Sequence, residues 1–244
     1  MNRFNSVLFL LISIEFLIVF LKCEKEEGEI CNYFGDHKKL GKCYEEYMAL
    51  FNISHNEISY EKYIEKTNEY FISLKSMEKF CENFKILKEC IGNSIIKNCI
   101  NLEDFEYIFM NLDHKNFEHL QYVINFHQFN YICGFGFEGY RESFNCINKL
   151  RNINCGGGYG TNCNEAKKGI QCSAAKAEKE CGKNGFEYIR NIYSIGLCYS
   201  RPECDKEFCE HEKIREIRNI ENETSVTKIS ITVIFGILIM PYFW

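Results

Sequence analysis

Proline is nearly missing from this chain of 244 residues: only Pro202 and Pro241 occur. Many-turned β-sandwiches spend proline at turns and edges, whereas a helix interior excludes it, so the scarcity favours long helices. A basic excess is missing as well. The formal charge is −5, which leaves no phosphate-neutralising face and argues against a nucleic-acid partner. Matched close pairs of metal-binding residues are also missing. Cys204-x4-Cys209 with His211 nearby is the nearest spacing to a zinc module, and no second pair of cysteines or histidines completes it. The run Gly156 to Gly160 lacks the Gly-Lys-Ser/Thr that closes a phosphate loop and reads as a connector. Tryptophan occurs once, as Trp244.

Cysteine is abundant instead, with 15 in the chain. Cytosolic thiols are kept reduced, so this density points to an oxidising compartment and to disulfides. Cys81, Cys90 and Cys99 sit nine residues apart, and so do Cys163, Cys172 and Cys181. Both triplets lie in polar, helix-permissive sequence without proline. Upstream, Cys31 to Cys43 is twelve residues and Cys133 to Cys146 is thirteen. The repetition reads as an internal duplication, with repeats over 31–115 and 133–200. Nine residues are two and a half helical turns, so on a continuous helix the middle cysteine faces away from the outer two. The outer two lie about 27 Å apart, against the ~6 Å between disulfide Cα atoms. Each triplet must therefore tie its helix to other elements or break at a turn such as Gly92-Asn93. The pairing itself is not deducible, because 14 cysteines allow roughly 10⁵ connectivities.

The two ends differ from the middle. Arg3, an apolar run from Val7 to Leu21 interrupted by Glu15, and an abrupt polar exit at Lys22 describe a secretory signal over residues 1–23. Cleavage after Cys23 leaves an even set: Cys31, Cys43, Cys81, Cys90, Cys99, Cys133, Cys146, Cys155, Cys163, Cys172, Cys181, Cys198, Cys204 and Cys209. All are expected in disulfides. Residues 24–209 then form the cysteine-rich ectodomain, and 210–228 a charged stalk. Residues 229–244 form a hydrophobic segment that is either a membrane anchor or a glycolipid-anchor signal. Asn222 and Ser225 are the candidate attachment points. Sequons at Asn52-Ile53-Ser54 and Asn222-Glu223-Thr224 mark Asn52 and Asn222 as glycosylation sites, hence surface.

Between the ends the apolar residues keep helical spacing. Leu40, Cys43, Tyr44, Tyr47, Met48 and Phe51 form one face of an amphipathic helix with Asp36 as its N-cap. Tyr60 to Ile91 continues that spacing as one long helix or two, ending near Gly92. A helix capped by Ser94 carries Ile95 to Phe109. Another covers Phe117 to Cys133, and short helices flank Cys146 and Cys155. Thr161 is placed to cap the second triplet helix, and Gly182 to end it. The fold class is mainly α, a disulfide-stapled helical ectodomain.

Several elements taken together are similar to a known family. They are Cys81-x8-Cys90-x8-Cys99, Cys133-Gly134 leading into Phe137-Glu138-Gly139-Tyr140 and Cys146, and the Cys163 to Cys181 run with Cys181-Gly182-Lys183 and Phe186-x2-Ile189-Arg190. The chain from Cys31 to Cys198 resembles the nematode cysteine-rich extracellular family called domain of unknown function 19. The resemblance implies a secreted, mostly helical, disulfide-bonded domain without recognised enzymatic activity. It supplies no catalytic residues. Cys155, Cys204 and Cys209 depart from its pattern, which leaves connectivity beside the stalk open.

Signals of chemistry are outweighed by plainer readings. Gly134-x-Gly136-x-x-Gly139 matches a dinucleotide fingerprint in form but has no strand before it. His114 and His119 are five apart, do not share a helical face, and read as a solvated helix end. Asp36-His37 lacks the calcium loop of secreted phospholipases. No metal, cofactor or catalytic residue is expected. The expected role is protein–protein interaction at the cell surface, with membrane attachment through the C-terminal segment. The alternative is a carrier whose aromatic residues, 21 Phe and 15 Tyr, line a cavity for a lipid or other small apolar ligand.

Overall fold

The computed structural model describes residues 31–32, 34–110, 118–150, 155, 162–204 and 209. The signal at 1–23, His114, the loop 156–160, the stalk 210–228, Asn222, Ser225 and the segment 229–244 lie outside the described residues. No strand occurs among those described, and the described residues belong to one compact unit.

Helix α1 (Gly35–Ala49) buries the face expected of it: Leu40, Cys43, Tyr44, Tyr47 and Met48. Its entry is held by Asn32, whose Oδ1 accepts from the backbone N–H of Phe34 and of Gly35. Asp36 lies inside the first turn and reaches back to accept from Asn32 N–H at 2.8 Å, so it supports the cap and does not occupy it. After α1, Asn52 takes φ 58°, a left-handed conformation that asparagine tolerates at helix ends. It is exposed, as its sequon requires.

The apolar spacing from Tyr60 to Ile91 is divided between two helices. α2 (Tyr60–Asn68) starts at Ser59, whose side chain accepts from Lys62 N–H. After a short 3-10 turn, Ser73 adopts extended geometry and opens α3 (Leu74–Ile91) with a capping box shared with Ser76. Periodicity continued across this join because the break needs only one extended serine. Replacing Ser73 by alanine is expected to cost about 1 kcal/mol, read as a lowered urea midpoint with an unchanged slope.

Gly92, at φ 84°, ends α3. α4 (Asn93–Cys99) follows at once, so Ser94 lies inside that helix and is not its cap. The helix expected to reach Phe109 is broken at Ile100-Asn101. There the Asn101 side chain accepts from Asp104 N–H at 3.0 Å and starts α5 (Leu102–Met110). α6 (Glu118–Ile132) and α7 (Phe137–Ile147) are joined by a turn through Gly134 and Gly136. α7, which carries Cys146, is an eleven-residue helix; Cys155 is not helical.

α8 (Cys163–Ser200) is capped by Asn162, accepting from Glu165 N–H, and kinks at Gly182 with φ 71° and ψ −168°. Thr161, the expected cap, lies outside the described residues. Cys163 and Cys204, at opposite ends of α8, are bonded with Cα atoms 5.1 Å apart. The arms on either side of Gly182 therefore fold back on each other as a hairpin. Only glycine adopts that combination of φ and ψ without strain. Small residues line the first arm, with Ala166, Ala174 and Ala177 all buried. Ala166 packs with Leu197 of the returning arm in a satellite core.

One main core runs from Leu40 to Ile195. It is built of rings: Phe80 lies 4.7 Å from Phe129, and Phe84 lies 5.3 Å from Phe126. Polar crossings fix α6 to α8, where Gln128 Nε2 donates to Ile192 O and Asn191 Nδ2 donates to Tyr131 Oη.

The Gly134-x-Gly136-x-x-Gly139 sequence sits in the α6–α7 corner, between two helices. A Cβ on Gly136 would meet the Tyr131 ring at 2.6 Å, and one on Gly134 would meet Asn130 O at 2.7 Å. Both glycines are needed for close approach. Gly139, inside α7, has open space around it. Gly136→Ala should cost about 1–3 kcal/mol through overpacking, whereas Gly139→Ala should gain up to about 1 kcal/mol from helix propensity. Thermal unfolding of the two variants, shifted in opposite directions, checks this assignment.

Candidate functional site

All fourteen cysteines from Cys31 to Cys209 are joined in seven bridges: 31–99, 43–90, 81–133, 146–181, 155–172, 163–204 and 198–209. No bridge lies within a triplet, as helical geometry demands. The order of pairing repeats. In the first set Cys31 bonds the third triplet cysteine, Cys43 the middle one, and the first, Cys81, reaches a downstream partner, Cys133. In the second set Cys146 bonds the third, Cys155 the middle one, and Cys163 reaches downstream to Cys204. Cys31 and Cys43 thus correspond to Cys146 and Cys155, not to Cys133 and Cys146 as the spacing implied. Spacing misled because Cys133 ends α6 and serves as a downstream partner of the first triplet. Cys198–Cys209 has no counterpart.

Beside the first of these bridges lies the one close pairing of a buried histidine and a carboxylate among the described residues. His37, on the first turns of α1, is 8 % exposed, and its Nε2 stands 2.6 Å from Asp104 Oδ1 on α5. Asn101 orients the partner. Its Oδ1 caps α5 at Asp104 N–H while its Nδ2 donates to Asp104 Oδ2, leaving Oδ1 for the imidazole. Tyr107 stacks on the ring with centroids 5.8 Å apart. Asp104 and Tyr107 carried no signal in the sequence, since they lie 67 and 70 residues from His37 and only the fold brings them together. Nδ1 of His37 is sealed from solvent. A histidine–aspartate general base takes its proton from a water through the ring nitrogen not paired with the carboxylate, which here is buried.

His119 is buried at 3 % exposure in the first turn of α6, and its Nδ1 has no hydrogen-bond partner among the described residues. The solvated helix end expected there is thus corrected. His119, Tyr122, Phe126 and Phe129 follow i, i+3, i+7, i+10 spacing, which places the imidazole on the buried face. Next to it tyrosines cluster between α1, α2 and α6. Tyr63 stacks on Tyr122 at 5.5 Å, Tyr60 meets Tyr122 edge-on at 5.4 Å, and Tyr47 lies 6.2 Å from Tyr63. The backbone N–H of Tyr60 donates to Glu118 Oε2. Burial pushes the phenols of Tyr44, Tyr47, Tyr63 and Tyr122 far above their ordinary value, and that of Tyr60 up to about 12. For Tyr122 the nearby Glu118 charge adds to the burial.

A phenol with a raised native pKa keeps the folded state more protonated than the unfolded one. Its contribution is intact below the ordinary value of 10.0 and is lost as pH rises towards the native values. Stability is therefore expected to hold up to about pH 10 and to fall steeply above it. In an alkaline titration, tyrosinate absorbance from the cluster should appear together with loss of helical circular dichroism, not before it.

Among the described residues three groups of side chains have metal-ligand spacing: Cys31, His37 and Asp104; Cys31, Asp36 and Cys99; and Cys163, Glu203 and Cys204. In each, the cysteines are tied in disulfides, whose sulfurs lack the thiolate charge that binds metal. No family model, curated protein or solved structure matches the chain. The described residues thus define a disulfide-rich, all-helical domain.

Proposed function

We propose that this chain is an exported, non-catalytic module that binds another extracellular protein, held at the cell surface by its C-terminal segment. One observation carries the reading: seven bridges join every described cysteine, and such a set is typical of oxidising compartments and rare where thiols are kept reduced. The seclusion of His37 Nδ1 supports a non-catalytic role. The likeness of the cysteine spacing to the nematode domain of unknown function 19 points the same way, and membership of that family is part of the proposal.

Proximity labelling on intact cells, with and without phospholipase release of glycolipid anchors, tests location and finds neighbours together. Surface labelling of the chain with a reproducible protein neighbour is the expected result. A chain that stays in the cytosol with alkylatable thiols would overturn the reading. Lipid co-purifying in stoichiometric amount by mass spectrometry would replace it with a carrier.

A further inference from the structure

The Cys31–Cys99 bridge and the His37–Asp104 pair occupy one corner of the fold, and they share an atom-scale neighbourhood that neither explains alone. The Cys31 sulfur, a ring nitrogen of His37 and a carboxylate oxygen of Asp104 all lie within 4.8 Å of one another. Cys99 Sγ is bonded to Cys31 Sγ, and Asp36 also comes within the same distance of both sulfurs. We propose that this corner is a redox-gated site for a thiophilic divalent cation of the zinc class. Opening the bridge supplies Cys31 as a thiolate beside the His37 imidazole and the Asp104 carboxylate, and frees Cys99, which is grouped with Cys31 and Asp36 and not with His37 and Asp104.

The donor set fits that ion. One sulfur, one nitrogen and one oxygen are ligands zinc accepts in tetrahedral sites, with the fourth position left to water or to the freed Cys99, and thiolate discriminates against magnesium and calcium. An outer support already exists, because Asn101 holds Asp104 by Oδ2 and by its backbone N–H, so that Oδ1 is presented inward. Two neighbouring bridges remain when this one opens. Cys43–Cys90 still pins α1 to α3, and Cys81–Cys133 still pins α3 to the end of α6. Entry is available as well: Cys31 and Asp104 are only partly buried, whereas His37 and Cys99 form the floor.

The chemistry balances. An external dithiol delivers two electrons and two protons to the Cys31–Cys99 bond, yields two thiols, and leaves as its own cyclic disulfide. Binding of the cation then releases the Cys31 thiol proton, and the Cys99 proton where that thiol fills the fourth position. In the bridged protein His37 Nε2–H donates to Asp104 Oδ1; binding of the cation requires the imidazole proton to sit on Nδ1 instead, so that the Nε2 lone pair is free for the metal.

The full chain with Cys99→Ser leaves the Cys31 thiol beside His37 and Asp104 while the other six bridges can form, which peptide mapping under non-reducing conditions checks. Cobalt(II) is the probe, because thiolate ligation gives a charge-transfer absorption that carboxylate or imidazole alone does not. The expected result is that band in the Cys99→Ser protein, its absence in the oxidised wild type, and its loss when His37→Ala or Asp104→Asn is added. Asn101→Ala on the same background should weaken cobalt binding about 10- to 100-fold. No band, or a band indifferent to His37 and Asp104, overturns the proposal. Should Cys99→Ser fail to form its six bridges, wild-type protein opened with a limiting dithiol is alkylated with and without zinc chloride. Zinc should shield Cys31 where magnesium does not, and equal labelling of it in both salts overturns the proposal.

Discussion

Replacing Cys81 and Cys133 together by alanine is expected to lower the unfolding free energy by about 4 kcal/mol, the loop-entropy value for a closed segment of this size. The bridge spans 52 residues and encloses most of α3 with α4, α5 and α6. It is also the bond that joins the first cysteine triplet to the end of α6, so its loss unties α3 from α6. For a domain of this size the change corresponds to a melting temperature lower by roughly 8–16 °C. The paired control is Cys198→Ala with Cys209→Ala, where the separation is only 11 residues and the same relation gives about 3 kcal/mol. Circular dichroism melts of both double variants decide the order. Equal or inverted losses would show that local packing, and not closure of the long segment, sets the worth of these bonds.

Helix type and burial were legible in the sequence because they depend on neighbours three and four residues away. Leu40, Tyr44, Tyr47 and Met48 could be placed on one face before any fold was known, and they are buried there. Breaks were less legible. Ser73 and Asn101 interrupt periodic sequence because a short side chain captures a backbone N–H, a choice that leaves hydrophobic spacing untouched. Glycine carried more information: Gly92 and Gly182 both adopt positive φ, and both mark helix ends or kinks where the sequence placed an end. Pairing was the least legible. It depends on which helices meet, so the thirteen-residue gap from Cys133 to Cys146 resembled an upstream pair although Cys133 belongs with Cys81. The His37–Asp104 contact is hidden for the same reason, since nothing local to either residue refers to the other.

The second large effect is expected at Phe80. Its side chain is 0 % exposed and meets rings from four parts of the fold: Phe51 after α1, Phe71 in the turn before α3, Phe84 on α3 itself and Phe129 on α6. Phe80→Ala removes the ring and leaves a cavity that disulfide-tied helices cannot readily close, so the cost should reach about 3–5 kcal/mol. Against total stabilities of about 5–15 kcal/mol this is a major fraction. Ile86→Ala on the same helix, at 51 % exposure, should stay within about 0.5 kcal/mol. Denaturant titration separates this loss from that of Cys81–Cys133, although the two residues are adjacent. The cavity acts on the folded state, so Phe80→Ala should shift the midpoint and keep the slope. Cutting the bridge loosens the unfolded chain, exposes more surface on unfolding and should steepen the slope. A Phe80→Ala protein with a steeper slope and a loss below 1 kcal/mol would mean that the rings fill space without setting stability, leaving sulfur to hold the helices alone.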